Sequence, residues 1–447
     1  MSQTNNQQNP FYKAIQNLNG SDQDKNNWMI KYMDQNMAFL YKSKKLNKNE
    51  KSLLLKEMKS KYLNYRKSWR MQPGNCFSNK IFGKNLKKKK IIPLCIDIEL
   101  ASVCDLACPH CFRQFVPTPD KIMHKNLALK VIDQSSQLGV PSMKFNWRGE
   151  PLMNPNTPEI INYAKKKGIL ETIMNTNATM LDEKMAKKII FSGLDSMIYS
   201  FDGGTKKSYE KMRPGRFKEN NFDSVIKNIK NFSKLKNKLN VKFPRTKIQM
   251  VLTKDTRKEQ EEFFSLFKDF VDDISVKQYS ERGGQLKDID DEVKEKIRNK
   301  TNSYKPSSEV MMDHKANLFV SEKRLPCEQP FQRLLVGYDG RVSMCCYDWG
   351  SQHPVGIVDD RATKLKNKDF DDVIEKSKKN KKGFELMNLK ENKSYNKLDN
   401  KVSSINEIWN GKDINKVREL HVNEKIEKVK VCKNCTFKDT YKWVQLN

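Results

Sequence analysis

Three cysteines within eight residues, in CDLACPHC from Cys104 to Cys111, carry the most specific chemistry in the sequence. They are spaced by three residues and then by two, and no fourth cysteine stands at ligand spacing nearby. A structural zinc site takes four ligands in a closed tetrahedron, commonly from two CxxC pairs, so three thiols in one loop are a poor zinc set. They suit an iron-sulfur cube, where three thiolates leave one iron open to a ligand that binds through oxygen and nitrogen. His110 is a ligand by type, but it adjoins Cys111 and is read as packing.

A second set lies far along the chain. Cys327 and Cys345, across a sequence that reads as a hairpin, and Cys432 and Cys435, as CxxC, make four thiols. Four thiolates saturate a cluster; they also fit a structural zinc, and both readings stand. Cys346 follows Cys345 directly, and neighbours on a strand face opposite ways, so one of the two is the ligand; Cys345 is taken. Cys95 reads as core, and Cys76 receives no role.

The elements that must position these groups follow from pattern. Of 447 residues, 37% are hydrophobic, enough for at least one large core and for two or three domains. Residues 1–90 are polar, basic and helix-patterned: Leu54, Met58, Tyr62 and Tyr65 recur on one face, and RMQPGNCFSN reads as the break that ends that helix. From 91 to 284 short apolar runs alternate with helical segments, as in a βα array. Six such units are too few for a closed eight-stranded barrel. The expectation is an α/β fold, a partial (β/α)6 TIM-like barrel, with ligands at the C-terminal ends of its strands. The three-cysteine loop, RGEP (Arg148–Pro151), NTN (Asn175–Asn177) and SFDGG (Ser200–Gly204) each follow a strand candidate. Residues 285–326 read as a charged connector. Residues 327–447 read as a small hairpin-and-helix domain for the later cysteines, with a Lys/Asn-rich insertion at 362–401.

CxxxCxxC after the first strand of such an array resembles the signature of the radical S-adenosylmethionine (SAM) superfamily. That resemblance implies a 4Fe-4S cluster on Cys104, Cys108 and Cys111 whose open iron chelates SAM. Reductive cleavage then gives a 5'-deoxyadenosyl radical that abstracts a hydrogen atom from substrate. RGEP is similar to the family's GGEP motif, with Arg148 for its first glycine; Gly149 then allows close backbone approach and Glu150 accepts from the SAM ammonium. Asn177 and Ser200 resemble ribose and carboxylate contacts, Arg213 the arginine that meets the SAM carboxylate. His110 stands where the family carries an adenine-packing aromatic, and Ile248–Leu252 is expected to wall the adenine. The C-terminal cysteines, with VGIVDD and SSINEIW before CKNC, resemble a SPASM or twitch domain, which implies one auxiliary 4Fe-4S cluster. The catalytic acid or base is not assigned.

The formal charge of +31 raises the question of nucleic acid, but about 70 of the 85 basic residues are lysine, spread through almost every segment. No nucleic-acid motif accompanies them. The leading expectation is a radical SAM enzyme that oxidises its substrate with the auxiliary cluster as electron acceptor. Its partners are a small anionic or sugar substrate, or a peptide, and a reductant such as flavodoxin or ferredoxin. One rival is a radical SAM peptide maturase whose first ninety residues hold a leader; another, of a different class, is a zinc-containing basic nucleic-acid-binding protein. No apolar run reaches the ~18 residues of a membrane span, and MSQTNNQQNPFYK is unlike a signal peptide, so the expected location is the cytoplasm.

Overall fold

The computed structural model describes residues 22–111, 113, 119–253, 255–278, 295, 310–312, 317–348, 351, 353–363, 401–433, 435, 437 and 440–446. Residues 1–21, most of the connector before 310 and nearly all of the expected insertion at 362–401 lie outside that set.

Among the described residues, four α-helices precede the first strand: α1 (Asp22–Lys31), α2 (Met37–Ser43), α3 (Lys48–Ser78) and α4 (Lys84–Lys88). A capping box between Asn47 and Glu50 starts α3, and its apolar stripe packs as the periodicity predicts, with Met58, Tyr62 and Tyr65 buried. The expected break does not occur there: α3 runs on through Pro73 and Gly74 to Ser78. Proline in a helix interior costs a hydrogen bond and a clash. Tertiary contacts offset that cost, because Gln72 donates to Phe331 O (2.6 Å) and Ile92 O (3.2 Å), Cys76 is buried, and the Phe77 and Phe331 rings meet edge to face at 5.0 Å.

β1 (Cys95–Ile98), β2 (Ser142–Lys144), β3 (Glu171–Thr176), β4 (Ser196–Ser200), β5 (Arg245–Leu252) and β6 (Asp273–Gln278) are adjacent and parallel, in chain order. Between them run α5 (Lys125–Leu138), α6 (Thr157–Lys166), α7 (Glu183–Ser192), α8 (Lys206–Met212), α9 (Phe222–Lys238) and α10 (Gln260–Phe267). The six βα units of the partial barrel are thus present. Alternation sorts each strand: Ile96, Met143, Met174, Met197, Ile248 and Ile274 join the core under the helices, while Asp97, Lys144, Asn175, Ser200 and Lys247 stand on the opposite, concave face. At the N-terminal ends of the strands, Leu94, Leu170 and Phe243 pack into the core of α1–α3, and Glu171 takes Lys25 (2.6 Å) and the Tyr65 hydroxyl (3.0 Å). The N-terminal helices therefore close the end of the barrel opposite the motif loops.

The stretch expected as a charged connector also holds strands. β7 (Val310–Met312) and β8 (Leu318–Arg324) pair antiparallel, and β8 pairs with the last strand. The hairpin read around YDGR is β9 (Arg333–Val336) and β10 (Arg341–Ser343), followed by β11 (Pro354–Ile357). Rather than standing apart, β9 pairs in parallel with β1 and extends the barrel sheet to nine strands. α11 (Ile405–Trp409) and α12 (Lys412–Val422) pack behind it, with buried Arg418 donating to Pro330 O and Trp409 O. β12 (Tyr441–Leu446) completes the small sheet with β8 and β7. Among the described residues, no helix is long and apolar enough to cross a membrane.

Candidate functional site

The cysteine loop leaves the end of β1 and is held by backbone contacts rather than by its thiols. Ala107 N donates to Pro214 O (2.8 Å), Arg216 N to Asp105 O (2.7 Å) and Glu150 N to Val103 O (2.9 Å). Gly149 makes the last contact possible, since a Cβ there would overlap the carbonyl oxygens of Val103 and Ala101. RGEP is thus pressed against the residue before Cys104, the close approach that the motif implies.

Glu150 is 3% exposed and lies at the centre of this contact. Its carboxylate accepts from Leu152 N (3.1 Å), Thr176 Oγ1 (2.7 Å) and Asn177 N (2.7 Å). Burial still pushes its pKa up to about 7 against those donors, as for a carboxylate that lacks a cation. The Asn177 side chain donates to Asp105 (2.8 Å) and lies 4.0 Å from the Cys104 sulfur. Arg213, 7% exposed, pairs with Asp202 at 2.7 Å, and His110 Nε2 lies 3.3 Å from the same oxygen. Burial alone would raise the Asp202 pKa, but the Arg213 charge, His110 and the Val251 N–H together outweigh it, and the pKa falls well below the usual carboxylate range. The Nδ1 atom of His110 is buried without a hydrogen-bond partner among the described residues. Ser200 ends β4, half-buried, in register with Gln249 of β5. Of the expected adenine wall, Ile248 and Met250 face the outer core instead, because period-two alternation turns them away from the concave side.

The donor set fits a thiolate-held cluster. Burial pushes the Cys104 thiol far up and the Cys108 thiol up to about 12, with Arg213 opposing at Cys108. Such thiols keep their protons until a metal displaces them. Glu150 and Asn177 lie beside Cys104, and Arg213 beside Cys108, so that a carboxylate, an amide and a guanidinium border the thiols.

The four later cysteines share one pocket, although among the described residues no three ligating side chains are gathered closely enough to hold a single metal ion. Cys327, Cys345, Cys432 and Cys435 line one pocket, with Met344, Tyr347 and Phe437 among its apolar walls. Cys346 is not in that lining; its carbonyl accepts from Trp147 Nε1 at 3.0 Å. His421, which the sequence reading passed over, accepts from Cys327 N at Nδ1 (3.0 Å) and stands 3.6 Å from the Cys432 sulfur. Burial lowers its pKa to about 4, so it is a neutral ring there. Asp105 and Asp202 were also missed. Both lie inside quoted motifs, and their signal was an acid beside a cysteine or at a strand end.

Against known proteins, the model of the radical SAM superfamily matches residues 98–267. An iron-sulfur cluster-binding domain, SPASM, matches 327–436. The Fe-coproporphyrin III synthase of Methanosarcina barkeri is 31% identical over 132 residues, 29% of this chain and 31% of that protein. A probable GTP 3',8-cyclase of Methanococcus maripaludis is 32% identical over 133 residues, 30% of this chain and 43% of that one. The chain spans less than half the length of these relatives. Streptococcus suis SuiB bound to precursor peptide SuiA superposes with a TM-score of 0.43 and 18% identity, over 60% of this chain and 63% of SuiB.

Proposed function

We propose, from the premise that this chain carries a radical SAM domain at 98–267 and a SPASM iron-sulfur domain at 327–436, that it is an enzyme oxidising its substrate by radical chemistry. The observation that supports this reading most is the meeting of the three-thiol loop with Glu150, Asn177 and Arg213 at the strand ends of a parallel sheet. Cys104, Cys108 and Cys111 would hold the 4Fe-4S cluster, Glu150 would accept from the SAM ammonium, and Arg213, released from Asp202, would meet its carboxylate. Asn177 and Ser200 would contact ribose or carboxylate, and the His110 ring would pack on adenine. Bound there, with a flavodoxin or ferredoxin as reductant, the cluster and SAM would supply radical hydrogen-atom abstraction from substrate.

Cys327, Cys345, Cys432 and Cys435 would give a second cluster a full set of protein ligands, which suits electron transfer rather than substrate ligation. Held there, it would supply an acceptor for the electron left on the substrate. For the substrate we favour a small anionic molecule over a peptide. Lys144 and Lys247 stand on the concave face, and the two relatives are named for Fe-coproporphyrin III and GTP. Of the first ninety residues, the leader-holding segment of the peptide reading, those between Met29 and Trp69 bury their apolar face against the far end of the barrel.

Anaerobic reconstitution should give about eight irons per chain, from two four-iron clusters, and reductive cleavage of SAM. Stoichiometric zinc with little iron would overturn the reading in favour of the zinc protein. Glu150→Gln should weaken SAM binding by about 1.5–3 kcal/mol, roughly tenfold to a hundredfold, with both clusters still assembled. Equilibrium binding measures this, and an unchanged affinity removes Glu150 from the site.

A further inference from the structure

Four consecutive residues, Trp147 to Glu150, span the interval between the two groups of cysteines. At one end, Glu150 and Gly149 bear on the loop of Cys104, through Glu150 N to Val103 O and the missing Cβ. At the other, Trp147 donates its indole N–H to the carbonyl of Cys346, the residue after Cys345. Arg148 fixes the middle. Its guanidinium grips Glu99 with two bonds of 2.6 Å, from Nε and Nη2, and lies 4.0 Å from the Trp147 ring centroid. Glu99 is fully buried just past β1 and also accepts from Tyr338 N (3.1 Å) in the β9–β10 turn, so the same carboxylate ties the barrel to the hairpin before Cys345. A buried, bidentate pair stacked on an aromatic ring has little freedom to yield.

We propose that Trp147 and Arg148 are positioning residues that couple the two cysteine sites, so that occupancy of the SAM site is felt at the auxiliary cluster. This rests on the function proposed above. A cation taken up by Glu150 pulls on Gly149, and because the Trp147 ring, Arg148 and Glu99 are joined as one stiff unit, the displacement moves that unit and reaches the indole instead of being absorbed between them. The indole N–H is a dipole aimed at the backbone beside Cys345. Hydrogen bonds around a cluster's ligands set its potential, so a change there alters how readily the cluster takes an electron. Linkage makes the effect reciprocal: the redox state of the auxiliary cluster changes affinity at the SAM site by the same factor.

The test is a redox titration of the auxiliary cluster's own paramagnetic signal in the reconstituted protein, with and without S-adenosylhomocysteine. That probe keeps the amino and carboxylate groups and has no sulfonium to cleave. In the unsubstituted protein, a coupling of about fivefold is expected, a shift of about 40 mV for a one-electron couple. Trp147→Phe keeps an aromatic ring under Arg148 and loses the N–H; its shift should fall below about twofold, with iron content unchanged. Arg148→Lys, which keeps the charge but not the bidentate grip, should reduce the shift in the same way. A full shift in both variants, or no shift in the unsubstituted protein although it binds the probe and holds both clusters, overturns the coupling. A protein that binds no probe, or holds no second cluster, instead overturns the function on which it rests.

Discussion

With Cys104, Cys108 and Cys111 all replaced by alanine, the protein should lose about four irons per chain and all reductive cleavage of SAM, while the auxiliary cluster stays. The chemical part of the expectation follows from the ligand count, since the three thiolates are the cluster's protein ligands in this reading and without them no cluster with an iron open to SAM is held. The structural part rests on what keeps the loop in place. Its backbone is fixed by Ala107 to Pro214, Asp105 to Arg216 and Val103 to Glu150, none of which involves sulfur. Alanine at three thiol positions therefore leaves the loop path and the RGEP contact intact. The four later cysteines have their own pocket, walled by residues of the hairpin, α12 and the C-terminal segment. Iron analysis and 5'-deoxyadenosine formation check both parts. Loss of both clusters would mean that the sites assemble together; retained cleavage would mean that these thiols are not the ligands.

What the sequence made legible, and what it did not, divides by the range of the interactions. The six βα units could be read because their signals are local: alternation in ETIMNT, a 3.6-residue stripe in KNLALKVIDQSSQL, and the left-handed Gly139 (φ +81°) that closes α5. The motif residues could be placed because each directly follows a strand. The end of α3 was misread because the proline and glycine are local signals, while the groups that hold the helix together, Phe331 and the backbone of Ile92, lie far away in sequence. β8 was hidden for the same reason, since it pairs with β12 over a hundred residues later: LFVSEKR is too charged to declare itself a strand before Tyr441–Leu446 covers one edge. The Glu99–Arg148 pair shows the limit most clearly. The sequence marks Arg148 as a departure from GGEP, and only the fold supplies the buried carboxylate that explains it.

In Cys435→Ala the functional and structural readings of the second site separate most widely. The backbone of Cys435 does not depend on its thiol: its carbonyl accepts from Arg324 Nη1 and from the Tyr441 hydroxyl, both at 2.7 Å, and its N–H donates to Cys432 O at 3.3 Å. Those bonds tie the CxxC turn to β8 and β12 whether or not a metal is bound, so the small sheet should survive the substitution. With one of four ligands gone, the auxiliary cluster is lost or its potential displaced. Reductive cleavage of SAM needs only the barrel cluster and should continue. Oxidised product should nevertheless fall towards zero for each 5'-deoxyadenosine formed, because the electron left on the substrate no longer has an acceptor. A purely structural clamp predicts something else: SAM cleavage and product falling together, in proportion to the folded fraction. The quantity to measure is therefore the ratio of 5'-deoxyadenosine to oxidised product per folded protein, and a ratio equal to that of the unsubstituted protein would exclude the electron-acceptor role.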